Sequence, residues 1–256
     1  MTVSNNSLST VKTLIKALDI MGVIADSKNY PTIAQIASKL NMNRTTVHRL
    51  VQTLHSQGYL EKDDNKNAYR IGLRLLPLAA CSLDTNKLRI ESLPYLHHLA
   101  QKSGERVNLG VLFRGEILYL GGVEKPSLPT VYTRFGKKAP AHCCSLGKII
   151  LAFLREEEVD FILKEKPLIR LTENTITDHD VFKKHLEDIR KQGYAIDNAE
   201  HIPGSYCISA LIRDSTGQGA GSISISSGDL EKIRGQLDNL VQTAEIISHL
   251  MGYTLR

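Results

Sequence analysis

Most of what would mark an exported, membrane-bound or catalytic protein is missing from these 256 residues. Four cysteines (Cys81, Cys143, Cys144 and Cys207) in a chain of this length do not make a disulfide framework. They also lack the paired C-x-x-C spacing that marks a structural zinc site. No charged-apolar-small leader opens the chain, and no apolar run is long enough to cross a bilayer. A cytoplasmic protein without membrane attachment is therefore expected. Internal repeats and low-complexity tracts are absent as well. Strong charge of either sign is lacking, since the formal net charge is only +5. The distribution is uneven, however. Residues 1–86 hold ten Lys+Arg against six Asp+Glu, and residues 87–256 hold 22 against 21. The basic excess sits at the front, where phosphate contact would need it.

What is present begins between Thr32 and Leu54. Thr32-Ile33-Ala34-Gln35 has the form of a capping box, in which a hydroxyl and a glutamine three positions on satisfy each other's backbone donors. Ile33, Ile36, Ala37 and Leu40 follow at helical spacing. Asn41-Met42-Asn43 supplies a tight turn, with Asn41 suited to left-handed backbone and Asn43 to capping the next helix. That helix, Arg44 to about His55, turns Val47, Leu50, Val51 and Leu54 inward. Its opposite face carries Arg44, Thr45, Thr46, His48, Arg49, Gln52 and Thr53, the residue types that read base edges and bind phosphate. Two β-prone runs come next, Tyr59–Lys62 and Ala68–Ile71, separated by a polar turn-prone loop. Ahead of this unit, Val11, Leu14, Ile15, Leu18, Met21 and Ile24 form the apolar stripe of a first helix starting near Ser9 or Thr10. Residues 1–9 read as a disordered polar arm. Helix, helix, recognition helix and hairpin is the order of a winged helix-turn-helix, predicted over residues 1–72. Lys62 or Lys66 on its wing would touch phosphate or the minor groove.

Residues 73–86 form a mostly apolar linker helix, with Pro77 either near its start or at a kink. They serve either packing within the chain or a dimer contact. From 87 to 256 the pattern is α+β. A helix with Pro94 near its start stops at Gly104. Strands are expected at Val107–Phe113, Glu116–Val123, about Thr130–Arg134, Tyr194–Asn198, Cys207–Asp214 and Gly219–Ser226. Helices are expected at Leu146–Leu154, Glu156–Leu163 and Asp178–Gln192, and one long final helix carries Ile233 to Leu250 along one face. Adjacent hairpins with helices indicate a largely antiparallel sheet with helices flanking it.

Three segments of this second domain suit a ligand. A serine cap at Ser145, followed by Leu146 and Gly147, would leave free N–H groups at a helix N-terminus, where negative charge is favoured. Asp197 to Cys207 is a polar loop between two strands. Alternation places Ser222, Ser224 and Ser226 on one face of their strand. Together they would make a pocket for a small polar acid.

The chain resembles the IclR-type family of bacterial transcriptional regulators over roughly Ser9 to Tyr253. The resemblance is carried by Thr45-Thr46-Val47-His48-Arg49-Leu50, Gly58-Tyr59-Leu60 and Tyr69-Arg70-Ile71-Gly72. It continues through Gly104-Glu105-Arg106-Val107-Asn108-Leu109, Ser145-Leu146-Gly147-Lys148, Thr172 to Thr177, Gly193 to Asp197, Pro203-Gly204 and Cys207-Ile208-Ser209-Ala210. It implies a winged helix-turn-helix joined by a linker helix to a GAF-like effector domain. It further implies a homodimer, or a dimer of dimers, on a pseudo-palindromic operator, sensing a keto, sugar or aromatic carboxylate and controlling a catabolic operon. No cofactor is implied. From their places on the recognition helix and the wing, Arg44, Thr45, Thr46, His48, Arg49, Lys62 and Lys66 would bind double-stranded DNA. Carried over by motif, Ser145 and Leu146, through their backbone, with Asp197, Cys207, Ser224 and Ser226, would line the effector pocket. Two departures stand out: Asn43 replaces a common proline, and Cys143-Cys144-Ser145 replaces a run of smaller residues. The competing reading is an enzyme or metal protein using His142, Cys143, Cys144 and Cys207, with Asp197 or Glu200 nearby. No known nucleophile motif surrounds those residues.

Overall fold

The computed structural model describes residues 10–63, 65–127 and 134–254. It resolves into two compact units, Met1–Asp84 and Thr85–Arg256. The polar arm expected over residues 1–9 lies outside the described residues.

In the first unit, α1 (Lys12–Ala25), α2 (Ile33–Lys39) and α3 (Arg44–Ser56) precede a hairpin of β1 (Leu60–Asp63) and β2 (Ala68–Ile71), and α4 (Leu75–Asp84) closes the unit. Ile20, Ile24, Ile36, Val47, Val51, Leu60 and Tyr69 make its core. The capping box forms as expected: Gln35 Oε1 accepts from Thr32 N at 2.8 Å while Thr32 Oγ1 accepts from Gln35 N. Asn41 is left-handed at φ 48°, and Asn43 Oδ1 takes the Thr45 N–H at 2.8 Å. Only the second half of α1 reaches this core. Val11, Leu14, Ile15 and Leu18, expected to be part of an inward stripe, are exposed. A 14-residue helix spans about 21 Å, and its buried residues, Ile20 and Ile24, lie in its second half. No residue of α4 is buried, and Leu76 and Leu78 face solvent. Pro77 falls in the first turn of α4, where a missing N–H breaks no bond.

The second unit is a six-stranded antiparallel sheet in the order β5-β4-β3-β8-β7-β6. Its strands are β3 (Arg106–Phe113), β4 (Glu116–Val123), β5 (Lys138–Pro140), β6 (Tyr194–Asn198), β7 (Tyr206–Arg213) and β8 (Gly219–Ser227). Alternation along β8 decides the layering. Ile223 and Ile225 join a core with α5 (Lys87–Ser103) and α10 (Leu237–Leu250), while Ser222 turns the other way and donates to the Leu146 carbonyl at 3.0 Å. On that second face lie α6 (Ser145–Ala152), α7 (Glu156–Glu165) and α8 (His179–Gln192), built around Leu146, Ile149, Leu163, Phe182 and Leu186.

Four expectations are corrected. Pro94 stands inside α5, not near its start: Asn86 caps the helix eight residues earlier by accepting from Arg89 N. The single long final helix is two, α9 (Leu230–Arg234) and α10, interrupted at Gly235-Gln236. The serine cap of α6 is absent. Cys144 occupies the cap position without a side-chain bond, and Ser145 is the first helical residue. Of the strand expected at Thr130–Arg134, residues 130–133 lie outside the described residues and Arg134 is not in a strand, whereas Lys138–Pro140 adds an edge strand that the sequence did not signal.

Candidate functional sites: a helix-turn-helix groove and a buried polar pocket

In the first unit, α3 presents Arg44, Thr45, His48, Arg49, Gln52 and Thr53 to solvent, with Thr46 half-buried. A concave space of about 430 Å3 opens between the start of α2, α3 and the hairpin. Arg44, Thr45 and His48 line it together with Lys62 from the hairpin. Thr46, Arg49 and Lys66 are not among its lining residues. Sequence reading missed Thr32 and Tyr69, which also line it; the Tyr69 hydroxyl accepts from Gln52 Nε2 at 3.1 Å and so ties hairpin to helix. Neither Arg44 nor Arg49 has an acidic partner among the described residues. The hairpin is held by the directly opposed Glu61 and Arg70, whose atoms meet at 2.7 Å. Such a cross-strand pair fixes register more than it adds stability.

In the second unit, strand register assembles a polar face. Asn108, Ser224 and Ser209 sit side by side across β3, β8 and β7; one step along, Ser226, Cys207 and Asp197 do the same across β8, β7 and β6. Asn108 Nδ2 donates to Ser224 Oγ at 3.0 Å and Ser226 Oγ at 2.9 Å, and Ser226 Oγ lies 3.1 Å from Cys207 Sγ. The first turn of α6 closes over these rows. Gly147 permits the approach, because a Cβ there would lie 2.1 Å from the Ala141 carbonyl oxygen. Gly147 N and Lys148 N both bond to the Cys144 carbonyl, while the N–H groups of Ser145 and Leu146 have no bond partner among the described residues.

All six expected residues (Ser145, Leu146, Asp197, Cys207, Ser224 and Ser226) line one pocket. Asn108, Tyr119, Arg134 and His201 join them; His201 lies within the Asp197–Cys207 loop singled out above, and the other three were not expected in the pocket. Of those three, Asn108 alone carried a signal, since it stands opposite the serines once strand pairing is known. The free space is about 10 Å3, enough for a single water. Ser145 Oγ is buried with no hydrogen-bond partner among the described residues. Asp197 is 2% exposed, and its Oδ1 accepts from Glu200 N at 2.7 Å. Burial outweighs that bond and pushes its carboxyl up to about 7. Behind it, the wholly buried Lys148 ammonium donates to Glu200 Oε1 at 2.5 Å and lies 3.3 Å from His185 Nε2. At the rim, Arg134 donates to the Tyr119 hydroxyl and stacks over that ring.

The cysteine-histidine cluster does not assemble. Cys144 and Cys207 line the polar pocket, but His142 points into a different cavity and Cys143 Sγ donates to the Pro140 carbonyl at 3.7 Å. Burial raises the Cys143 and Cys207 thiols to about 12 and Cys144 well above its ordinary value, so none offers a thiolate near neutrality. Among the described residues no three or more metal-ligating side chains come together. No described helix is long and apolar enough to cross a membrane.

A helix-turn-helix with a basic face, followed by a separate α+β unit enclosing a polar pocket, defines a DNA-binding transcriptional regulator with a ligand-binding domain. Residues 13–64 match the family model for the IclR helix-turn-helix domain, and residues 80–249 match that for the bacterial transcriptional regulator IclR C-terminal region. The chain belongs to the IclR family of transcriptional regulators and is not an enzyme. It is 32% identical over 246 residues to the HTH-type transcriptional regulator BhcR of Paracoccus denitrificans, covering 94% of this chain and 88% of that protein. It is 28% identical to the Escherichia coli regulator KdgR, over 95% of this chain and 94% of that one. The crystal structure of the Thermotoga maritima IclR superposes with a TM-score of 0.68 at 32% identity, covering 94% and 99% of the two chains. An IclR homologue from Microbacterium hydrocarbonoxydans complexed with 4-hydroxybenzoate shares the fold, with a TM-score of 0.76 at 23% identity over 93% and 98%.

Proposed function

We propose that this regulator binds a pseudo-palindromic operator as a homodimer, or a dimer of dimers, and responds to a small carboxylate, controlling a catabolic operon. The carrying observation is convergence: four separate stretches of chain deliver Ser145–Leu146, Asp197, Cys207 and Ser224–Ser226 to one buried pocket. The free N–H groups of Ser145 and Leu146 at the start of α6 would receive the carboxylate. Asp197, the serines and Cys207 would meet the rest of the molecule. The 4-hydroxybenzoate held by the Microbacterium homologue belongs to the same chemical class.

DNA would be read by α3 in the major groove, with Arg44, Thr45, Thr46, His48 and Arg49 toward bases and phosphates and Lys62 or Lys66 on the wing against the backbone. The dimer reading rests on the exposed leucines of α1 and α4. Because the pocket has room for one water, an effector must open it. Only Thr85 and Asn86 separate α4 from α5 in sequence, so a movement of α5 on opening would pass directly to the linker helix. An effector that prefers one of two dimer arrangements then changes operator affinity by about 5- to 150-fold.

A thermal-shift screen of small carboxylic acids on the full chain tests this, followed by operator binding with the hit. A ligand at 100 times its Kd stabilises the native state by about 2.7 kcal/mol. No carboxylate raising the melting temperature would remove the effector assignment.

A further inference from the structure

A second cavity of about 140 Å3 lies in the same unit as the polar pocket and shares no lining residue with it. Its walls are Ala141, Leu151, Ile162, Leu163 and Ile169, from the start of the α6 segment, α6, α7 and the loop after α7. Exposed Lys166, Pro167 and Ile169 mark the side open to solvent. A cavity of about 150 Å3 with aliphatic walls takes up a benzene-sized ring. The cation at the rim is already neutralised: Lys166 Nζ meets Glu116 Oε2 at 2.9 Å. A neutral guest therefore fits better than an anion.

The second observation is a buried polar group. His142 is 4% exposed and lines the cavity. Its Nε2 lies 3.0 Å from the Ile169 carbonyl, which can only accept, so Nε2 carries the proton. Burial keeps the ring neutral by lowering its affinity for a second proton. Nδ1 is then a lone-pair acceptor, and the described residues give it no donor.

We propose that this cavity is a second small-molecule site, for one phenol-sized aromatic ring with its hydroxyl donating to His142 Nδ1. Its position gives it a means of acting on the polar pocket. Only Cys143 separates His142, in this cavity, from Cys144 in the other, and the Ala141 backbone is wedged against Gly147. The site itself does not depend on what the polar pocket binds.

Calorimetric titration of the full chain with phenol, in the absence of DNA, tests the proposal. Saturable one-to-one binding is expected, weakened about tenfold or more in Ile162→Trp, which fills the cavity, and retained in Ser226→Leu, which obstructs the polar pocket. Anisole, whose oxygen cannot donate, is expected to bind more weakly than phenol. If Ile162→Trp fails to give a native circular-dichroism melt, Ile169→Trp at the exposed rim replaces it. Absence of saturable binding, indifference to the cavity-filling variant, or loss in Ser226→Leu overturns the site.

Discussion

Asp197 is held near 7 by burial, so its charge changes within the range of ordinary assays. Its native value lies above its unfolded one, so the folded state binds the extra proton. The stability this contributes is complete below about pH 4 and is lost as pH rises through about 7. Under the proposed function, the same titration would govern an anionic effector. Protonated Asp197 offers an O–H donor, whereas ionised Asp197 repels a carboxylate. Affinity for a carboxylate hit is expected to fall as pH rises from 6 to 8, and Asp197→Asn is expected to flatten that profile; titrations at several pH values check it, and an unchanged slope in the variant would falsify the assignment. At the other site, Arg44→Ala and Arg49→Ala are each expected to weaken operator binding by ~1–3 kcal/mol if the guanidinium pairs with a guanine. Arg44 lines the groove and Arg49 does not, so a gel-shift titration in which only Arg44 matters would narrow the reading set.

At the level of elements, α6 fits closely against the segment before it at Gly147. A methyl at Gly147 would strike backbone atoms of Ala141, which cannot swing aside as a flexible side chain would. Gly147→Ala is expected to destabilise the protein by ~1–3 kcal/mol and to weaken ligand response with it, measured by chemical denaturation. Legibility also divided by element. The capping box, the left-handed Asn41 and the serine face of β8 were readable because each depends on residues close in sequence. The α1 stripe misled, since helical spacing reveals an apolar face without revealing what covers it. Pro94 misled for another reason. Proline disfavours a helix interior, but α5 is held by Leu88, Leu96 and Leu99 against the sheet, and that packing prevails over the lost bond. The six pocket residues came from motif resemblance and strand alternation. Asn108, Tyr119 and Arg134 were missed because their convergence follows from strand order and loop paths, which no local pattern encodes.

For the whole molecule, the exposed leucines carry the assembly expectation. Leu14→Glu with Leu76→Glu is expected to shift the protein toward monomer in sedimentation velocity and to lower operator affinity, while each unit keeps its own melt. The two half-sites then no longer act as one. A variant that stays dimeric would place the contact elsewhere.

The near-filled polar pocket has a consequence for dose. A receptor whose binding-competent form is a small fraction of the population has its apparent Kd raised in inverse proportion to that fraction. If an effector enters there as proposed, room for one water makes the open form the minority, and trace amounts of metabolite would pass unnoticed while a sustained surge would register. Substitutions that trim the side chain of Ile202, which lines the pocket, would lower that threshold without touching a group proposed to recognise the acid.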